Sequence, residues 1–509
     1  MLKIFAGSKH DHPMADLKEA RRLVAELPSG DPIKALEELA HWLESVRAEP
    51  FAPANRAQLA LLLDESGQSA ARRLGREYVA AQRISKVQEI RWWNALNGFW
   101  RESAQTFVGL LKSFEAGDKG ADALKSSIAL LAVRALRALA TQMKWLHIRY
   151  GPLEQSVWGM AGGVLGLAEW RKVARTPVQV YAGIAGDSTP EQEFLRMVLF
   201  SVSSPDSLLP LEIDIADRLI AAFVPGLVVT SIPQAESTYW VDIAAGSPPL
   251  RHARPPEKVT TVRYISTAPA AEKAALHHEA IVRTRALPGD LGLGDAYELG
   301  PVAEVLAHLA TNWSAQPPAR RHERHRVKAR LTVAPGFDGA LDMLQPDASL
   351  AFTGEGTESW IVENVSAGGF GAVVTQAPRD WVKIDGLLAL QPEGGTNWVL
   401  GVIRRITREA LNQAGIGIQT IARAPTPVDM RVQAGNVLGL DSELGILAAP
   451  LRPGDRETRL VTRAGVHVPG QSLVLESDGR SYVLTPKSVS ERGADYELLD
   501  CSVMMREAG

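Results

Sequence analysis

The hydrophobic period of this chain changes once, and the change divides it into two kinds of structure. Over residues 14–224 apolar side chains recur every three or four positions. Leu124, Ile128, Leu131, Ala135, Leu139, Met143 and Leu146 form one such run, the spacing that lines one face of an α-helix. From 326 onward the period is two. Val327, Ala329, Leu331 and Val333 alternate with polar residues, as a strand buried on one side requires. The chain is therefore expected to be a multidomain α+β protein, with an all-α N-terminal region and β-structure after it.

Length supports the division, because 509 residues exceed one ordinary domain. Helices are expected near 33–47, 54–66, 69–114 with room for interruptions, 122–150 and 153–174, making a helical domain over 1–225. Asp31 before Pro32 is a candidate N-cap, as is Ser188 or Thr189 before Pro190. Residues 226–316 mix short strand patterns with two helices and form an α+β segment and linker, closed by Gln316-Pro317-Pro318. Six strand patterns then fall between 317 and 425, at 327–333, 359–364, 370–374, 387–391, 398–406 and 415–421, the number and spacing of a small barrel. Ala424-Pro425-Thr426-Pro427 closes that domain. A further series over 426–509, with Asp478-Gly479 as a hairpin turn, implies a small C-terminal β-domain.

Composition sets limits on function. With 46% hydrophobic and 22% charged residues and a net charge of −3, the chain has ample core material and no general affinity for polyanions. The single cysteine, Cys501, allows no intramolecular disulfide and fits a reducing compartment. The N-terminal apolar run is too short for a signal peptide. The most apolar stretch, 128–146, carries Arg134, Arg137 and Lys144, so no membrane span is expected. These features point to a soluble cytoplasmic protein.

Against this near-neutral background one segment is strongly basic. Arg320, Arg321, Arg324, Arg326, Lys328 and Arg330 crowd the start of a strand. Some forty residues on, Asn364-Val365-Ser366-Ala367-Gly368-Gly369 offers polar groups and two glycines at the end of another. Guanidinium forks bind the O6/N7 edge of guanine, stack on bases and pair with phosphates. Glycines let backbone approach a ligand or take positive φ. A local basic cluster favours a compact anionic ligand over a long polyanion.

These residues resemble the PilZ family, whose signature is R-x-x-x-R ahead of the first strand and [D/N]-x-S-x-x-G in a later turn. Arg320 and Arg324 fit the first motif; Asn364, Ser366 and Gly369 fit the second. Trp398 to Arg405 and Gly415-Ile416-Gly417-Ile418-Gln419 resemble the strands that close the same barrel. The resemblance covers about 317–425 and implies a PilZ-like six-stranded β-barrel that binds cyclic di-GMP. The site would draw on Arg320, Arg321, Arg324, Arg326, Asn364, Ser366, Gly368 and Gly369. A second register places Arg326 directly before Val327 as the second arginine, with His322 in the first position. The resemblance further implies an effector that passes second-messenger level to a protein partner through its helical region, in motility, pilus or biofilm control. The alternative is a divergent adaptor that binds no nucleotide and works through protein contacts alone. A nucleic-acid binder using 320–330 is a third reading, against which the near-neutral remainder argues.

Other constellations carry less. His322 with His325, His277-His278-Glu279 and His10 with His12 lack a partner cluster at metal-ligand spacing. G-x-S-x-G, H-E-x-x-H and P-loop patterns are absent, so no enzyme and no cofactor beyond the nucleotide ligand is expected. Gly159-Met160-Ala161-Gly162-Gly163 reads as close helix packing. Trp92, Trp93, Phe99 and Trp100 read as an aromatic band in a helical core.

Overall fold

The computed structural model describes residues 12–81, 83–183, 186–253, 259–319, 322–345, 356–375, 380–410, 413–434, 437–477 and 479–506. Two compact units emerge. The first holds residues up to Arg149, Leu153–Pro205 and Pro210–Pro318; the second holds Tyr150–Pro152, Asp206–Leu209 and the chain from Ala319.

In the first unit the helices are α1 (Leu17–Ala25), α2 (Pro32–Ala48), α3 (Pro53–Ala80), α4 (Lys86–Glu115), α5 (Ile128–Ile148) and α6 (Gln155–Trp170). A two-stranded ribbon of β1 (Val178–Gln179) and β2 (Asp187–Ser188) precedes α7 (Pro190–Val202) and α8 (Pro210–Phe223). Then come β3 (Val229–Thr230), β4 (Tyr239–Asp242), β5 (Leu250–Arg251), β6 (Val262–Ile265), α9 (Ala268–Thr284) and α10 (Leu299–Trp313). These four strands form one sheet in the order β3-β6-β4-β5.

Local chemistry starts several helices where their caps stand. Asp31 accepts from the Lys34 N–H at 3.1 Å, with Pro32 at the first helical position. Thr189 and Gln192 form a reciprocal capping box on α7. One expected break is misplaced. The chain passes helically through Ser66-Gly67-Gln68; α3 ends at Ala80 instead, and Ser85 caps α4. Gly67 is a contact point, not a breaker: a Cβ there would lie 2.3 Å from Phe99 Cζ. Phe99 and Trp100 are buried, and the Trp93 indole N–H donates to the Trp145 carbonyl at 2.7 Å. Gly162 likewise lets α6 meet the backbone after β4, where a Cβ would fall 2.0 Å from the Ile243 carbonyl oxygen.

The core of this unit also buries charge. Arg134, 1% exposed, pairs with Asp64 at 2.5 Å and Glu65 at 2.7 Å, and its guanidinium lies 3.8 Å from the Tyr181 ring centre. Burial pushes the Asp64 carboxyl up while Arg134 pulls against it. On Glu193 burial is outweighed by Arg196 and Arg137, which bring its carboxyl below the usual range.

The second unit is two closed six-stranded barrels. The first contains β7 (His325–Pro335), α11 (Gly336–Leu344), β8 (Glu358–Ser366), β9 (Gly369–Val374), β10 (Leu387–Pro392), β11 (Val399–Ala410) and β12 (Gln413–Ala422), closed in the order β10-β11-β12-β9-β8-β7. Leu331, Val333, Trp360, Ile403, Ile406 and Ile416 are among its core residues. The second contains β13 (Thr426–Ala434), β14 (Val437–Leu447), β15 (Glu457–Arg463), β16 (Ser472–Ser477), β17 (Arg480–Arg492) and β18 (Tyr496–Met505), in the order β13-β14-β15-β18-β17-β16.

The C-terminal β-domain is thus itself a barrel, with a first strand, β13, that the Pro425/Pro427 punctuation conceals. Helix α11 also goes unannounced by the sequence. Its Phe337 and Leu341, with Leu387, Leu400, Val461 and Tyr496, fill a core shared by the two barrels. Strand β10 is consequently buried on both faces, which explains its unbroken apolar run Leu387 to Leu390. Asp478 of the expected hairpin turn lies outside the described residues. Cys501 is buried, and burial and then Asp500 push its thiol up to about 12, so it is unreactive at neutral pH.

Burial of His147 on α5, edge-on to Phe200 with ring centres 5.3 Å apart, lowers its pKa to about 4. The unfolded chain then takes up this proton at a higher pH than the folded one. The stability involved is complete above about pH 6.5 and is lost as pH falls toward 4, about 3 kcal/mol in all. Chemical denaturation of the intact protein between pH 7 and 4 should show this slope, and His147→Leu should flatten it.

Candidate functional site

Four cross-strand pairings connect five strands of the first barrel in a single row: Arg326 opposite Asn364, Asn364 opposite Gly371, Gly371 opposite Gly417, and Gly417 opposite Arg405. The neighbouring row, Val362–Ala372–Ile416–Ile406, points into the core. Side chains alternate across a sheet, so the first row lies on the outer face. Three register shifts border it, between Arg326 and Ala329, between Val362 and Asn364, and between Ile403 and Arg405. Bulges re-aim side chains and are common beside binding sites.

At the middle of the row the two glycines leave a bare floor. Asn364 lies across it: a Cβ on Gly371 would fall 2.5 Å from the Asn364 Nδ2. An open cleft of about 170 Å³ sits here, lined by Arg324, Glu363, Asn364, Gly371, Arg405 and Gly417 among others. The Asn364 Oδ1 is buried and accepts no hydrogen bond among the described residues, a cost of roughly 1–3 kcal/mol that a bound donor would remove. Arg405 is half-exposed and pairs with Asp206 at 2.9 Å.

The remaining motif residues build the turn that ends β8. The Ser366 hydroxyl accepts from the Gly368 N–H at 3.3 Å and donates to the Gly369 carbonyl at 3.4 Å. The Thr420 N–H donates to the Gly368 carbonyl at 3.0 Å, tying the turn to β12. Gly369 has φ +153°, and a Cβ there would stand 1.9 Å from the Ile418 carbonyl oxygen. His322 lies over Gly368, where a Cβ would fall 3.0 Å from the imidazole Cδ2.

Of the residues expected to form the site, Arg324 and Asn364 line the cleft. Arg326 is exposed and belongs to the same row. Ser366, Gly368 and Gly369 shape the adjoining turn. Arg320 and Arg321 lie outside the described residues. Among the described residues no three His, Cys, Asp or Glu side chains gather as a metal would need. His277 faces Asp290 at 3.6 Å, and His10 lies outside the described residues.

Residues 18–234 match the family model of the cyclic-di-GMP receptor FimW, N-terminal domain. The matched span runs from α1 through the sheet strand β3, within the helical region and ahead of the barrels. No curated protein matches the chain. Among the described residues no helix is long and apolar enough to cross a membrane.

Arg405, Gly371, Gly415 and Gly417 were not singled out by the motif. Their signal is nevertheless in the sequence, because glycines two apart in a strand pattern share one face and strip it of side chains. Gly369→Ala, which drives a methyl into the Ile418 carbonyl, should destabilise the barrel unit by about 3 kcal/mol. Gly417→Ala, whose Cβ would meet the Arg405 Cβ at 3.1 Å on the outer face, should cost less than half as much. Thermal melts of the two variants compare them directly.

Proposed function

We propose that this chain is a cyclic di-GMP-binding effector whose ligand seat is the outer face of the first barrel. The observation that carries the reading is the row Arg326–Asn364–Gly371–Gly417–Arg405 with its unpartnered Asn364 Oδ1. A floor that carries no side chain but the planar Asn364 amide laid across it accepts a flat base. Guanine presents O6 and N7 to an arginine fork, and its N1 and N2 hydrogens to acceptors such as Asn364 Oδ1 or the Glu363 carboxylate. The cleft has room for one base, which leaves the rest of the dinucleotide along the face. There Arg324 and Arg326 neutralise phosphates. The match of the helical region to a domain of a cyclic-di-GMP receptor supports the same ligand.

Each bidentate arginine–guanine contact contributes about 1–3 kcal/mol of discrimination, and each cation–π contact about 0.5–2 kcal/mol. Two or three arginines with Asn364 suffice for the roughly −8 kcal/mol of a micromolar complex. We read the protein as a cytoplasmic receptor, not an enzyme. Its helical unit would engage a protein partner in motility, pilus or biofilm control, the outputs the PilZ resemblance implies.

Calorimetric titration of the full chain with cyclic di-GMP tests the reading. Micromolar binding is expected, weakened ten- to a hundredfold by Arg324→Ala, Asn364→Ala and Arg405→Ala. Gly417→Leu should abolish it while leaving the fold intact. No binding to the intact protein would leave the nucleotide-free adaptor, and salt-steep binding to random DNA would favour the nucleic-acid reading.

A further inference from the structure

The two barrels are one fold used twice. In each, the first strand pairs with the second and fourth, the third with the second and sixth, and the fifth with the fourth and sixth. The register repeats as well. In the first barrel Arg405 faces Gly417, which faces Gly371, the third residue of its strand; in the second, Ser488 faces Asp500, which faces Arg459, again the third residue. A bulge precedes Arg405 with Arg404 as its extra residue, and one precedes Ser488 with Lys487 as its extra residue. Arg459 and Asp500 therefore occupy the two positions that are bare glycine in the first barrel.

At this counterpart face lies a larger cleft, of about 810 Å³, bordered by Arg423, Arg459, Lys487, Asp455, Glu457 and Asp500, among others. That volume is within the range of small-molecule pockets. One pair of its charges cancels, and two of its carboxylates are held by neutral donors. Lys487 pairs with Glu457 at 2.7 Å, Asp455 accepts the Arg452 N–H at 2.7 Å, and Ser488 donates to Asp500 at 3.4 Å. The two arginines differ. Arg459 donates to the Ile421 carbonyl at 2.8 Å and Arg423 to the Ala367 carbonyl, and neither has a carboxylate partner among the described residues. A carbonyl orients a guanidinium without cancelling its charge, and a backbone N–H or a hydroxyl does no more for Asp455 and Asp500. Two fixed cations and two fixed carboxylates therefore border the cleft, with the arginine forks as its anion-binding groups.

We propose that this cleft is a second ligand site, for a small molecule carrying a phosphate or pyrophosphate group that Arg423 and Arg459 hold. With Arg459 and Asp500 rising where the first barrel is bare, a base has no floor to lie on, and charge replaces stacking as the means of recognition. The site stands independently of cyclic di-GMP binding at the first barrel. It also touches that barrel's turn, since Ala367 belongs to its wall and receives the Arg423 hydrogen bond.

Titration at low salt of the full chain carrying Arg324→Ala and Arg405→Ala, which disable the seat on the first barrel, with inorganic pyrophosphate, and separately with GDP, tests this. Binding of at least one probe is expected, weakened tenfold or more by Arg423→Gln and by Arg459→Gln and unchanged by Arg330→Gln, an exposed arginine outside both clefts. Arg423 is exposed in the connection between the barrels, so its variant should melt with the parent even if Arg459→Gln does not. Binding of pyrophosphate itself marks the phosphate group as sufficient; binding of GDP alone marks a nucleotide. Failure of both probes, or binding that Arg423→Gln leaves intact, overturns the proposal, and loss of cyclic di-GMP binding at the first barrel would not alter either result.

Discussion

Everything at the first barrel's outer face depends on how closely β9 approaches β12. Gly369 meets the Ile418 carbonyl where no side chain fits, and the Gly368 carbonyl takes the Thr420 N–H. The pairing that follows sets Gly371 beside Gly417. Strand β12 serves two ends at once: Ala414, Ile416 and Ile418 fill the core while Gly415, Gly417 and Gln419 form the outer surface. A slip of one residue would expose the isoleucines and bury the glycines. The packing that holds the barrel shut is therefore the same packing that keeps the floor bare.

How much of this could be read from the sequence varied with the range of the interaction involved. Local patterning located all six strands of the first barrel: one-sided burial leaves alternation, as in β7, and burial on both faces leaves the apolar run of β10. The caps at Asp31 and Thr189 are also local, and they stand where the residue types put them. The gap left between 66 and 69 is helical, and Gly67 within it is fitted to the ring of Phe99, a distant contact with no local trace. The same holds for α11, whose Phe337 and Leu341 are buried partly by the second barrel; β13 does alternate at Val428, Met430 and Val432, but Pro425 and Pro427 read as a boundary.

The site was legible in part for the same reason. Asn364, Ser366 and Gly369 are neighbours in sequence and serve one turn and its approach. Arg405 is brought to Asn364 only through a five-strand row, and the bulge that aims it consists of one unpaired residue, Arg404. That residue turns elsewhere, to Asp385 at 2.7 Å and to Glu491 of the second barrel. Two adjacent arginines are thus sent to different tasks by a single inserted residue. The twin topology of the barrels shows how a shared frame can be divided: glycines at the floor positions in one copy, charged residues in the other.

The central claim is that a glycine-floored face, with arginines at both ends, seats the ligand. Hydrogen–deuterium exchange on the full chain with and without saturating cyclic di-GMP tests it most directly. Slowed exchange confined to 322–328, the turn 364–371 and strand residues 403–407 and 413–419 is the predicted result. Protection absent from these segments, or confined to the second barrel or the helices, would contradict it.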